Sequence, residues 1–145
     1  MKRNAWALKI MISVVLAVVL DFAPGTAAEP EKEKAAVSAA THWLALVDGG
    51  QYAESWSAAA AFFQEAVTES QWMQSLQSAR APLGKVVSRK MVRKSYHTTL
   101  PGAPDGEYVV IQFQTSYENK KSAVETVTPM VDPDGVWRVS GYYIR

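Results

Sequence analysis

At Gly84 the apolar spacing of the chain changes period, and no single layer of secondary structure accommodates both halves. Before it, from Ala35 to Ala79, small and apolar residues recur every three to four positions. After it, from Val86 to Ile144, they alternate with polar ones. The first pattern is that of amphipathic helices and the second that of half-buried strands. Helices gathered first and strands gathered second predict an α+β domain, with the helices covering one face of an antiparallel sheet.

Three helices are expected. Ala36, Ala40, Trp43, Leu44 and Val47 form the first stripe, which Asp48-Gly49-Gly50 ends, since glycine accepts a left-handed C-cap. The charged stretch Glu29–Lys34 before it reads as a mobile leader. Tyr52, Trp56, Ala59, Phe63 and Val67 form a second stripe. Thr68 and Gln71 are spaced as a capping box for a third helix with Trp72, Leu76 and Ala79 buried. Pro82 stops it.

Four strands are expected: Val86–Thr99, Glu107–Tyr117, Ser122–Val131 and Val136–Ile144. They are separated by a stiff Leu100–Gly106 loop, a tight turn at Asn119-Lys120 and the strong turn Asp132-Pro133-Asp134-Gly135. Pairing Val131 with Val136 and Glu118 with Lys121 puts Val109, Ile111, Phe113, Val124, Met130, Trp137, Val139 and Tyr143 on the helix-covered face. The other, mixed face then holds Tyr108, Val110, Gln112, Gln114, Glu125, Val127, Arg138 and Tyr142. A slip of one residue at the Asn119 turn swaps faces across it. Pro129 marks a bulge or an edge position.

The N-terminal segment reads as an address. Lys2 and Arg3 precede the apolar run Ile10–Leu20, followed by Pro24, Gly25 and the small residues Thr26-Ala27-Ala28. That is the pattern of a secretory signal peptide, with cleavage expected after Ala28 and Ala27 as the alternative; the rival reading is an uncleaved membrane anchor. The run is shorter than the ~20 residues that span a bilayer. Residues 29–145 are then a single domain, expected in the periplasm or secreted and with no membrane attachment after cleavage. The chain carries 15 Lys+Arg and 14 Asp+Glu. Without the leader twelve basic and thirteen acidic residues remain, a net charge of −1. This excludes nucleic-acid binding driven by a basic domain. The absence of cysteine excludes disulfides and thiolate chemistry.

Trp43-Leu44, Asp48, Gly50, Tyr52 and Ser55-Trp56 resemble a family of exported bacterial proteins, the domain of unknown function numbered 4019. So do Trp72, Arg80, Pro82-Leu83-Gly84, Ser88-Arg89, Leu100–Tyr108, and the ending Asp134-Gly135, Trp137-Arg138-Val139 and Gly141–Ile144. The resemblance runs from about residue 35 to the C-terminus. It implies no established activity. Its helix-then-sheet order is similar to the nuclear-transport-factor-2-like cone fold, in which helices pack on a curved four-stranded sheet. That fold hosts enzymes, ligand binders and inert adaptors alike.

Chemistry-bearing residues are sparse. His42 and His97 are the only histidines, and nothing in their spacing brings them to Glu125 or Asp48 as a metal site. No nucleophile motif or phosphate-cradling loop is present, and no cofactor is implied. Glu125, mid-strand between Val124 and Val127, is the one candidate catalytic residue. Facing a pocket it would be a general base of raised pKa, with Tyr142 as an oxyanion donor. Paired with Arg138 or Arg89 it would be structural. Lys85, Arg89, Lys90, Arg93 and Lys94 read either as protection of an exposed edge or as an anionic-partner surface. Alternation puts Arg89 and Arg93 on one face, Lys90 and Lys94 on the other. Trp43, Trp56, Trp72 and Trp137 read as core anchors. The leading expectation is a non-enzymatic module binding a small molecule or protein. The alternative is a cofactor-free acid/base enzyme, an isomerase or dehydratase, using Glu125. A homodimer through the mixed sheet face fits either.

Overall fold

The computed structural model describes residues 29–145. The expected leader and its cleavage site after Ala28 lie outside the described residues.

The helical half contains α1 (Glu29–Asp48), α2 (Tyr52–Ser57), α3 (Ala61–Ala66) and α4 (Glu69–Ala79), then a 3-10 turn, Ala81–Leu83. The strands are β1 (Val86–His97), β2 (Tyr108–Tyr117), β3 (Lys120–Val131) and β4 (Trp137–Ile144), in one antiparallel sheet of order β1-β2-β3-β4. The α+β class and the four strands are as expected. The helix count is not, because the second stripe forms two short helices rather than one.

The break falls at Ala58–Ala60, where helix propensity is high, and tertiary contacts override it. The Ala60 N–H donates to the Val139 carbonyl, 2.8 Å away, with Ala60 in extended backbone. Gln64 donates to the carbonyls of Trp56, Ser57 and Ala59, the open end of α2. Asp132, from the β3–β4 turn, accepts from the Ala61 N–H at the start of α3. None of these three partners is local in sequence to the break except Gln64, so no propensity scale registers it.

The Glu29–Lys34 stretch is the first turns of α1 rather than a mobile leader. Lys32 is paired with Glu107, and Lys94 with Glu33 at 3.2 Å, which fastens that end to the sheet. The capping box of Thr68 and Gln71 forms as expected. Gly50 takes φ +74 just beyond α1, as its C-cap role requires.

Ile111, Phe113, Val127 and Val139 lie beneath the helical layer with Trp43, Leu44, Phe63, Trp72 and Leu76, and Trp137 packs against that cluster. Each helix tryptophan satisfies its indole N–H: Trp43 on the Ser55 carbonyl, Trp72 on the Ser55 hydroxyl and Trp56 on the Val67 carbonyl, at 2.7–2.9 Å.

Register departs from expectation in two places. Across the Asn119 turn Tyr117 faces Lys120 and Phe113 faces Glu125, the one-residue slip. Across the second turn Val131 faces Trp137, and an irregularity at Thr128/Pro129 shifts the rest, so that Val127 faces Tyr142. Pro129 sits at that bulge, as a residue without an N–H donor demands. The slip carries Glu125, Val127 and Tyr142 to the helix-covered face, and Val124 and Tyr143 to the open one. A bulge between Met91 and Arg93 also re-sorts the β1 charges. Arg89 and Lys94 now share the helix side, while Lys90 and Arg93 lie on the open face.

Candidate functional site

The switch at Gly84 builds a buried ionic cluster. Arg80 closes α4 and Asp48 closes α1, so two helix ends meet above the sheet. Beneath them, Arg89 rises from β1, Thr115 and Tyr117 from β2, Glu125 from β3 and Tyr142 from β4. Gly84, at φ +77, turns the chain into β1 where an added Cβ would lie 3.0 Å from the Glu118 Cβ. Its carbonyl accepts from Arg80 Nη1 at 2.6 Å.

Glu125 is 0% exposed. Its Oε1 accepts from Arg89 Nε at 2.7 Å and Thr115 Oγ1 at 2.5 Å. Its Oε2 accepts from Tyr142 Oη at 2.5 Å and Arg89 Nη2 at 3.2 Å. Arg89 also forks onto Asp48, Nη1 to Oδ2 at 2.7 Å and Nη2 to Oδ1 at 3.0 Å. Arg80 reaches the same carboxylate at 3.3 Å and lies 4.6 Å over the Tyr117 ring. Two guanidinium groups thus balance two carboxylates, Glu125 sealed in the interior and Asp48 at the exposed end of α1.

Burial pushes the Glu125 carboxyl up. The hydrogen bonds from Arg89, Thr115 and Tyr142, with the Arg89 charge, outweigh that and hold it below the ordinary glutamate value. The raised pKa expected of a general base is therefore overturned: the environment favours the anion. Burial pulls the Arg89 guanidinium down, but its bonds to Asp48 and Glu125 more than restore it. Burial, then the Glu125 charge, raises the Tyr142 phenol and keeps it protonated. Tyr117 is raised for the same reasons. Its hydroxyl and Arg80 Nε are buried without a hydrogen-bond partner among the described residues.

Of the two ion pairs considered for Glu125, Arg89 makes it. Arg138 instead joins Asp132 and Asp134, each at 2.8 Å. The histidines do not approach the cluster. His42 borders an open hollow between α1 and β4 with Trp43 and Trp137, and His97 contacts Ser95 at 2.9 Å beside Arg93. Among the described residues no three His, Asp or Glu side chains converge as a metal site.

Beside the cluster lies a groove of about 310 Å3 between α4 and the last residues of β4. Trp72 and Leu76 form one wall, Tyr142 and Ile144 the other, with Arg80, Lys120 and Arg145 at its margins. Glu125 does not line it; Tyr142 borders both. Sequence reading missed Arg80, Asp48, Thr115 and Tyr117 as members of this region. The available signal was parity: Thr115 and Tyr117 alternate with Phe113 and so share its buried face.

Fold and site together define a small helix-on-sheet protein whose ionisable centre is closed and whose accessible concavity lies next to it. A family model described as a protein of unknown function (DUF4019) matches residues 39–142, and the chain belongs to that family. The matched stretch contains every residue of the ionic cluster. No curated protein and no solved structure matches the chain significantly.

Proposed function

We propose that this chain is an exported, non-enzymatic binding module of cone-like α+β form. It is released from its leader after Ala28 and holds a partner in the groove between α4 and the end of β4. The observation that carries this reading is the occupancy of Glu125. Both of its oxygens are engaged by Arg89, Thr115 and Tyr142, and it does not line the groove. A general base must reach the proton it removes and gain by accepting it, and neither condition favours Glu125. The groove offers apolar walls with a few polar groups at its margin, the usual make-up of a binding site, and it adjoins the Glu125 cluster through Tyr142.

The acid/base alternative draws on Tyr142, which touches both Glu125 and the groove. Its phenol is held neutral by burial and by the adjacent carboxylate, so it serves as a donor and not as a base. An isomerase or dehydratase step would still lack a proton acceptor there.

The test is native mass spectrometry of the protein recovered from the exported fraction. The expected chain begins at Glu29 and carries a non-covalent companion. Glu125→Gln retains that companion unchanged, and Ala79→Arg, which fills the groove from an exposed helix position, loses it with the fold intact. A bare wild-type chain overturns the reading. So does a companion whose mass changes only when Glu125 is present.

A further inference from the structure

β4 is an edge strand, and its two halves end differently. The first half is covered: the Val139 carbonyl, turned away from β3, accepts from Ala60. The second half is open. Arg145 and Val124 exchange both main-chain hydrogen bonds, 2.8 and 3.1 Å. Antiparallel pairs alternate between bonded and non-bonded. The continuous register Thr126–Tyr143 and Glu125–Ile144 therefore turns the N–H and C=O of Ile144 and Tyr142 outward, away from β3. Among the described residues these four groups have no hydrogen-bond partner. The side chains of Tyr142 and Ile144 point to the helix side, into the groove walled by Trp72 and Leu76.

From this geometry we infer that the groove takes an extended acidic peptide, added to β4 as a fifth strand. The inference rests on the groove being the binding site and specifies its occupant. Two outward residues two apart present donor–acceptor pairs ~7 Å from each other, one strand repeat, so the main chain of an extended segment meets both at once. Alternate side chains of that segment enter the apolar groove. Lys120 and Arg145 at its margin are exposed, and no aspartate or glutamate side chain lines the groove. Arg80 is already balanced by Asp48, so the uncompensated side-chain charge at the margin is positive.

The probes are two heptapeptides, one alternating glutamate with valine, the other lysine with valine, titrated against the folded protein by amide NMR. The acidic peptide is expected to shift the Tyr142 and Ile144 amides most, and to bind about tenfold more tightly than the lysine peptide at low salt. Read beside Ile144→Ala, which trims the same groove wall but keeps the main-chain donor, Ile144→Pro removes an outward N–H at a position where an edge strand tolerates proline. It is expected to weaken the acidic peptide at least about tenfold while leaving the other strand amides in place. Equal binding to Ile144→Pro overturns strand addition while leaving the groove a binding site. Failure of both peptides, with a native companion still lost from Ala79→Arg, likewise overturns the peptide and spares the groove. Concentration-dependent dimerisation that Ile144→Pro abolishes assigns the edge to a second copy and overturns the peptide. Loss of every interaction, companion included, removes both readings.

Discussion

The Glu125 cluster and the groove share a wall at Tyr142, yet they are built on opposite terms. In the cluster each charge is matched and the central carboxylate has no exposure. In the groove the backbone itself is unmatched over two residues of β4 and the margin carries surplus positive charge. The contrast separates stability from recognition. An ion-paired network holds two helix ends on four strands, and its central carboxylate has nothing left to offer a partner. An open strand edge beside an apolar wall stabilises little until something completes it.

Substitutions are expected to divide along that line. Arg89→Ala is the most damaging, because it leaves Glu125 as a buried, unpaired anion; chemical denaturation should show a loss of about 3–5 kcal/mol. Glu125→Gln keeps the shape and removes the charge, and should cost about 2 kcal/mol. It should also flatten the acid limb of stability. The Glu125 pKa is lowered in the folded state, so the unfolded chain binds the proton first as pH falls. Its contribution is complete above the ordinary value near 4.5 and disappears as pH drops through the lower, folded value. Asp134, held at about 2 beside Arg138 and the Val136 N–H, shifts in the same direction and remains in the variant. Melting curves from pH 6 to pH 2 should therefore show a shallower acid slope for Glu125→Gln, not a flat one.

Asp132→Ala tests the α2–α3 break. It removes the acceptor at Ala61 and one partner of Arg138, for an expected ~1 kcal/mol. Smallest of all, Ala79→Arg and Ile144→Pro should shift denaturation midpoints by under about 1 kcal/mol while removing binding. Large destabilisation by either would erase the distinction between scaffold and site.

Much of the scaffold was legible in the residues. The change of period at Gly84 predicts helices then strands, the Thr68–Gln71 spacing predicts a capping box, and Pro129 marks its bulge. The faces across the Asn119 turn were not, because one residue of turn length decides them and tight turns of neighbouring length look alike in sequence. That slip is why Glu125 and Tyr142 read as members of the mixed face. The fusion of α2 and α3 into one stripe failed for a related reason: Asp132 and Val139, both far along the chain in the last hairpin, make the break. Arg89 was legible as a partner for Glu125. Asp48, which joins it, sits where a helix end alone accounts for an acid beside two glycines.

The open edge of β4 is most directly tested by amide hydrogen exchange in the partner-free protein. The Tyr142 and Ile144 amides, facing outward, should exchange at least about tenfold faster than the inward Tyr143 amide between them, and slow when the acidic peptide is added. Equal protection of all three in the free protein would mean that the edge is already covered, and would contradict the account.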